Sequence, residues 1–395
     1  MSRGRLRIAL IAPPWYPVPP DGYGGTELVV GLLARELRAR GHDVVLFGVQ
    51  GSRLATHPIA LREWAEALGR PEQQVRDLTY AARVLDRLCS MGRFDVIHDH
   101  GGQAVLLGLA LRAPAPVLHT VHGPLIEPAR TFLDSLGDRV ALTAISQAQR
   151  ESGAGLPWVA VVHNAVDVDN LAVGHSPDRD QPYLLSLARI CPDKGQHVAL
   201  EVARRSGLRL VLAGKVEATA EGREYYETRI APGIDGDRVI HIPNVAGERK
   251  ARLLAGATAL LAPLQWEEPF GLYMAEAMCS GTPVIAFPRG AAPELVSEGT
   301  TGFLVPDVDA MVAATGSAVA IDRGRCARHA RLRFHPRRMA AGYVDAYARA
   351  LDTAGAAMAL GTPAGKGRGA AADGSRPAAW LRPLRGRGET LTASN

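Results

Sequence analysis

The feature that most constrains this chain is a rhythm that runs twice. Short apolar segments alternate with longer segments of helical periodicity, pause, and then resume. In the first run, strands are expected at residues 6–12, 43–47, 94–98, 116–121, 140–145 and 158–163. Helices are expected between them at 26–40, where Leu28, Leu32 and Leu33 recur at helical spacing, and at 71–91. Gly41 and Gly92 supply the stops. The strand segments are apolar on both faces, as strands of a parallel sheet covered by helices on two sides must be. The pause falls at 172–182, which is polar and rich in turn formers. Strands then return at 183–188, 208–213, 239–242, 259–262 and 284–287, and 338–351 reads as a closing helix.

This pattern predicts an α/β protein with two Rossmann-like, doubly wound parallel-sheet domains and a cleft between them. The domains are expected at 1–172 and 183–336, and the helix at 337–355 is expected to pack back toward the first domain. A basic tail at 356–395, dominated by Gly, Ala, Pro, Ser and Arg, is expected to lack fixed structure. A length of 395 residues accommodates two cores of ordinary size.

Composition narrows the class. With 47% hydrophobic and 22% charged residues, the chain reads as a globular enzyme. The net charge of +5 is mostly a tail property: from Ala356 onward six basic residues face two acidic ones, leaving about +1 for the rest. Nucleic acid is therefore not the expected partner. The four cysteines are widely spaced, with no Cys-x-x-Cys pair, which argues against a disulfide framework or a zinc site and predicts a cytoplasmic location. No apolar run reaches the roughly 18 residues needed for a membrane span. The apolar start is short and runs into Pro13-Pro14, so it reads as a first strand and not as a signal peptide. Peripheral membrane contact and the oligomeric state stay open.

The most informative segment is Gln265-Trp266-Glu267-Glu268-Pro269-Phe270-Gly271-Leu272-Tyr273-Met274-Ala275-Glu276, which follows the strand expected at 259–262. Pro269 suits the first turn of a helix, which would leave the N–H groups of Phe270, Gly271 and Leu272 as donors to an anion. Glu268, just before that helix, is placed to reach sugar hydroxyls; Glu276, two turns in, suits ribose hydroxyls. Taken alone, the pair would read as a helix cap and a solvated helix residue.

The Glu-x7-Glu spacing, the inner Pro-Phe-Gly-Leu and the following Gly281-Thr282-Pro283-Val284 resemble the retaining GT-B glycosyltransferases of family 4. Arg289-Gly290-Ala291-Ala292-Pro293-Glu294 and Glu298-Gly299-Thr300-Thr301-Gly302 continue the likeness. Trp266-Glu267 and Cys279-Ser280 depart from the usual pattern without removing an expected ligand.

Arg189 and Lys194 lie five positions apart on a loop leading from a strand into a helix. As residues they suit either solvent or a diphosphate; the resemblance implies that they hold the donor diphosphate. The loop Gly22-Tyr23-Gly24-Gly25-Thr26 lacks a dinucleotide fingerprint. Its Gly24 and Gly25 allow close backbone approach, Thr26 is the expected N-cap, and similar enzymes bring such a Gly-Gly near the distal phosphate. His122 resembles a histidine that these transferases bring to the reacting sugar, whereas His98 and His100 read as loop or supporting residues. A metal at His98, Asp99 and His100 is disfavoured because neighbours alternate across a strand. Asp167-Val168-Asp169 and Asp307-Val308-Asp309 are read as a turn and a helix start, not as metal motifs.

The resulting expectation is a retaining hexosyl-type glycosyltransferase that needs no cofactor or metal. Its donor is a nucleotide-diphosphate sugar, UDP favoured, and its acceptor is undefined. Catalysis is expected from Glu268, His122, Lys194 and Arg189. Donor binding adds Gly24, Gly25, Thr26, Asn244, Val245, Phe270, Gly271, Leu272 and Glu276, with main chain around Asn244-Val245 facing the base. A GT-B sugar-nucleotide epimerase and a degenerate, non-catalytic transferase partner are the alternatives.

Overall fold

The computed structural model describes residues 4–54, 57–60, 64, 70–174, 176–178 and 181–360, the last six through their backbone alone. The expected tail beyond 360 lies outside the described residues, as do three positions of the expected linker (175, 179 and 180).

The first sheet contains β1 (Arg7–Ile11), β2 (Asp43–Val49), β3 (His57–Ala60), β4 (Val96–Asp99), β5 (Val117–Val121), β6 (Ala141–Ala144) and β7 (Trp158–Val161). All pairs are parallel, in the order β3-β2-β1-β4-β5-β6-β7. Side-chain alternation sends Ala9 and Ile11 of β1 into one core and Ile8 and Leu10 into another. Among the helices, α1 (Gly25–Ala39), α2 (Gln73–Ser90), α3 (Gln103–Arg112), α4 (Ala129–Leu136) and α5 (Gln147–Ser152) come from this half. The face of Ile8 and Leu10 is covered by Val29, Val30, Leu33 and Leu37 of α1; the opposite face is covered by α2 and α3.

The second sheet is built in the same way from β8 (Tyr183–Leu187), β9 (Arg209–Ala213), β10 (Val239–Ile242), β11 (Ala259–Ala262), β12 (Val284–Ala286) and β13 (Gly302–Leu304). Its order is β10-β9-β8-β11-β12-β13, again parallel. Its helices are α6 (Gln196–Ser206), α7 (Ala220–Tyr225), α8 (Gly247–Gly256), α9 (Leu272–Cys279), α10 (Ala292–Leu295), α11 (Val308–Ala318) and α12 (Arg323–Arg333). Each sheet reverses its winding once, between β1 and β4 and between β8 and β11. Such reversals leave a crevice beyond the carboxyl ends of the strands.

The chain crosses between cores early. Val162 and Ala165 pack with the first sheet, whereas Val166 and Val168 already belong to the core of the second. The expected linker is tied down where described: the Gly174 amide donates to Ser280 O at 3.0 Å and that of Asp178 to Gly256 O at 2.9 Å. The last helix, α13 (Pro336–Leu360), returns to the first sheet. Met339, Ala340, Tyr343, Ala346, Tyr347 and Ala350 are buried there with β1 and α1. This helix is longer than the sequence predicted, and the short β3 and β13 were not anticipated.

Two local expectations are corrected. Thr26 does not cap α1: the helix already starts at Gly25, and the N-cap position is Gly24, at φ 143°. Pro269 is not in the first turn of α9. Gly271 adopts a left-handed φ of 85°, which breaks the backbone between Pro269 and the helix, so α9 opens at Leu272. The first two amides of the helix proper are those of Leu272 and Tyr273, ahead of Met274, whose N–H already bonds Gly271 O at 2.9 Å.

Candidate active site

The loops at the two winding reversals line one cavity of about 890 Å³. From the first sheet come Gly22, Gly24, Gly25 and Thr26 after β1 and His122 after β5. From the second come Arg189 and Lys194 after β8, Asn244 and Val245 after β10, and Glu268, Phe270, Gly271, Leu272 and Glu276 around the start of α9. Every residue singled out in the sequence for catalysis or donor binding therefore borders the same hollow.

Packing fixes the central pair. The Gln265 amide donates to Asp193 O at 2.9 Å, locking the loop after β11 against the loop after β8. Lys194 lies between them, donating from Nζ to Glu268 Oε2 and sitting 4.6 Å from the Trp266 ring centroid and 5.5 Å from that of Tyr273. The two aromatic faces add a cation–π attraction in a half-dry setting. Glu268 is held from behind by Gly290. A Cβ there would come within 2.3 Å of Glu268 N and O, so only glycine permits the approach. The Ala291 amide donates to Glu268 O at 2.8 Å, and the Gly290 amide donates to Glu267 Oε2 at 2.6 Å.

The other cations are also paired. Arg189 donates from Nη1 to Glu217, and Lys250 on α8 donates to Glu276 Oε1 at 2.6 Å. Lys215 lies 3.8 Å from the ring centroid of Tyr23, a contact between the first-sheet loop and the second sheet. At Gly25 a Cβ would meet Leu272 Cδ1 at 3.0 Å, so the glycine loop lies directly against the tip of α9. The cleft wall also includes Asn164, 3% exposed, whose Oδ1 has no hydrogen-bond partner. Lys215, Glu217, Lys250 and Asn164 escaped the sequence reading.

Charge states follow from burial. His122 is pushed down to about 3, first by desolvation and then by His119, so it is neutral at physiological pH. Glu27, buried beneath the glycine loop, is pushed up to about 7 by desolvation. Asp99 and His119 pair at 2.7 Å on one face of the sheet, while His98 and His100 occupy the other, as strand alternation requires. Among the described residues no group of three or more His, Cys, Asp or Glu is arranged to hold a metal ion.

Residues 167–331 match the family described as glycosyl transferases group 1, and residues 23–170 match glycosyltransferase family 4. The chain is a family 4 glycosyltransferase of the GT-B fold. The D-inositol 3-phosphate glycosyltransferase of Acidothermus cellulolyticus is 26% identical to it, over 87% of this chain and 90% of that protein. The phosphatidyl-myo-inositol mannosyltransferase of Mycolicibacterium smegmatis is 27% identical, over 78% of this chain and 83% of that protein. Among solved structures, AviGT4, a glycosyltransferase involved in avilamycin A biosynthesis, superposes with a TM-score of 0.66 at 26% identity, covering 88% of this chain and 98% of that one. Anabaena HepE, solved with UDP and glucose, shares the fold at a TM-score of 0.65 and 19% identity, covering 87% of this chain and 100% of that one.

In this glycosyltransferase the cavity-lining cations Lys194, Arg189 and Lys250 each contact a carboxylate, that of Glu268, Glu217 and Glu276 respectively. Such a site offers anion-binding and hydroxyl-binding groups side by side. No helix among the described residues is long and apolar enough to cross a membrane.

Proposed function

We propose that this glycosyltransferase moves a hexosyl group from a nucleoside-diphosphate sugar, UDP-linked by preference, to an acceptor hydroxyl with retention of anomeric configuration. The observation that carries the reading is the shared cavity, in which Arg189, Lys194, Lys215 and Lys250 and the carboxylates of Glu268 and Glu276 border the tip of α9. In this reading Arg189, Lys194 and the amides of Leu272 and Tyr273 take the diphosphate. Glu276 takes the ribose hydroxyls, with main chain at Asn244 and Val245 along the base. Glu268 orients the sugar, and Gly24, Gly25 and His122 approach it from the first sheet.

The anomeric carbon–oxygen bond to the leaving phosphate breaks as the acceptor oxygen bonds to the same face of that carbon. The acceptor proton passes to the departing phosphate oxygen, so no enzyme nucleophile is required. The protein contributes positioning and stabilisation of the charge that grows on the diphosphate. Because the relatives above are named for inositol-containing acceptors, D-inositol 3-phosphate is the first acceptor to test.

The experiment is a screen of UDP-, GDP-, ADP- and dTDP-sugars for thermal protection and turnover, followed by NMR assignment of the product anomer. Turnover with a UDP-sugar and a product of unchanged configuration supports the reading. An inverted product overturns retention, and an altered free nucleotide sugar formed without acceptor identifies an epimerase instead.

A further inference from the structure

His122 has a companion that the proposed chemistry does not yet use. β4 and β5 pair with His98 opposite Leu118 and Asp99 opposite His119, so His98, His100, Thr120 and His122 share the face covered by α13. His122 Nε2 lies 2.7 Å from His100 Nδ1. His100 is 4% exposed, and its Nε2 is buried with no hydrogen-bond partner. His98 is bonded at both nitrogens, Nδ1 to Tyr347 OH and Nε2 to Thr120 Oγ1, each at 2.8 Å. Its ring lies 4.2 Å from that of His100 and 4.7 Å from that of Tyr343, so α13 backs the whole layer.

Two neutral imidazoles joined by one hydrogen bond leave only two arrangements. If His122 Nε2–H donates, the proton of His100 sits on its own Nε2, and an N–H is stranded in a dry interior. If His100 Nδ1–H donates, His100 Nε2 presents only a bare lone pair. Orphaned buried N–H groups are the rarer and costlier outcome. Burial holds both rings neutral, His122 at about 3 and His100 well below its ordinary value, so a doubly protonated form does not compete.

We propose that His100 is a positioning residue that fixes His122 in the tautomer with its proton on Nδ1, making His122 a neutral hydrogen-bond donor to an oxygen of the sugar or acceptor. His122 then acts neither as a general base nor as a cation. The proposal rests on the cleft being the site of glycosyl transfer.

The test uses the full chain labelled with 15N in its histidine rings, with the His122 resonances assigned by comparison with His122→Phe. In the wild type the expected pattern is protonated-type nitrogen at Nδ1 and bare-type nitrogen at Nε2. His100→Phe removes the donor and is expected to redistribute the His122 proton and lower kcat about tenfold, with KM for the donor unchanged. His100→Asn keeps an N–H near the δ position and is expected to restore both signatures. His100→Asp offers only an acceptor and is expected to draw the proton onto His122 Nε2.

A wild-type His122 protonated at Nε2 overturns the proposal without any variant. So does a His100→Phe enzyme with unchanged tautomer and kcat. If His122→Phe turns over at the wild-type rate, the placement of His122 at the reacting sugar fails, a result separate from the tautomer reading.

Discussion

Glu27 lies at the third position of α1, 4% exposed, beneath the glycine loop that lines the cleft. Desolvation outweighs the N–H groups of Glu27 and Tyr16 that bond it, raising the acid from 4.5 to about 7. The folded chain thus binds this proton more tightly than the unfolded chain does. The stability it contributes is fully present below about pH 4.5 and is lost as the pH rises through about 7. The loss is on the order of 3 kcal/mol, and Glu27→Gln is expected to flatten it in denaturant titrations run from pH 4.5 to 8. A wild-type protein whose stability climbs across that range contradicts the assignment. Lys194 belongs to the same scale. If it stabilises charge on the leaving diphosphate, Lys194→Ala lowers kcat roughly a hundredfold or more, as loss of one such donor does. Turnover near wild type in that variant removes it from the mechanism.

Among the elements, α5 and α10 are joined by a single carboxylate. Glu294 accepts from the amides of Gln147 at 2.8 Å and Ala148 at 2.7 Å and from His163 Nε2 at 3.0 Å. Burial tends to raise its pKa, but these three donors prevail and hold it below the ordinary carboxylate value. Glu294→Gln keeps the shape and loses the charge, so it is expected to cost about 1–3 kcal/mol in thermal unfolding at pH 7. At this scale the sequence was legible wherever a pattern was local. Both-face apolar runs marked the inner strands, and the Glu-x7-Glu spacing lay on one loop and its helix. β13 has only three residues, and β3 pairs at an edge through a segment containing Pro58, so neither carries a periodic signal. The start of α9 was misjudged because proline and glycine both punctuate helices, and Gly271 prevailed. Lys250 and Glu217 were invisible because their partners lie 26 and 28 positions away, and Asn164 because its partnerless Oδ1 is known only once the cleft is built.

For the molecule as a whole, α13 matters more than its position at the end of the described chain suggests. It follows α12, which packs in the second core, and then buries two tyrosines against the first sheet. Arg40 donates to Arg337 O at 2.8 Å and Arg349 to Val159 O at 2.9 Å, pinning the helix near its start and near its middle. A chain ended after His335 retains every residue that lines the cavity. It is nevertheless expected to lose turnover and to unfold at lower temperature, because the face carrying His98 and Thr120 is laid open. Replacing Tyr347 alone with Ala is expected to cost roughly 3–5 kcal/mol, the range for large aromatic truncations in a core. Calorimetry of the truncated chain checks the first expectation; an unchanged transition refutes the strapping role.

The paired charges around the cleft have a consequence for what can compete there. A small polyanion such as inorganic pyrophosphate could win Arg189 and Lys194 only by evicting Glu217 and Glu268, and it brings no hydroxyl to console the evicted acids. A nucleotide sugar supplies both halves of the exchange in one molecule. Competition titrations are therefore expected to rank pyrophosphate far below a nucleotide sugar.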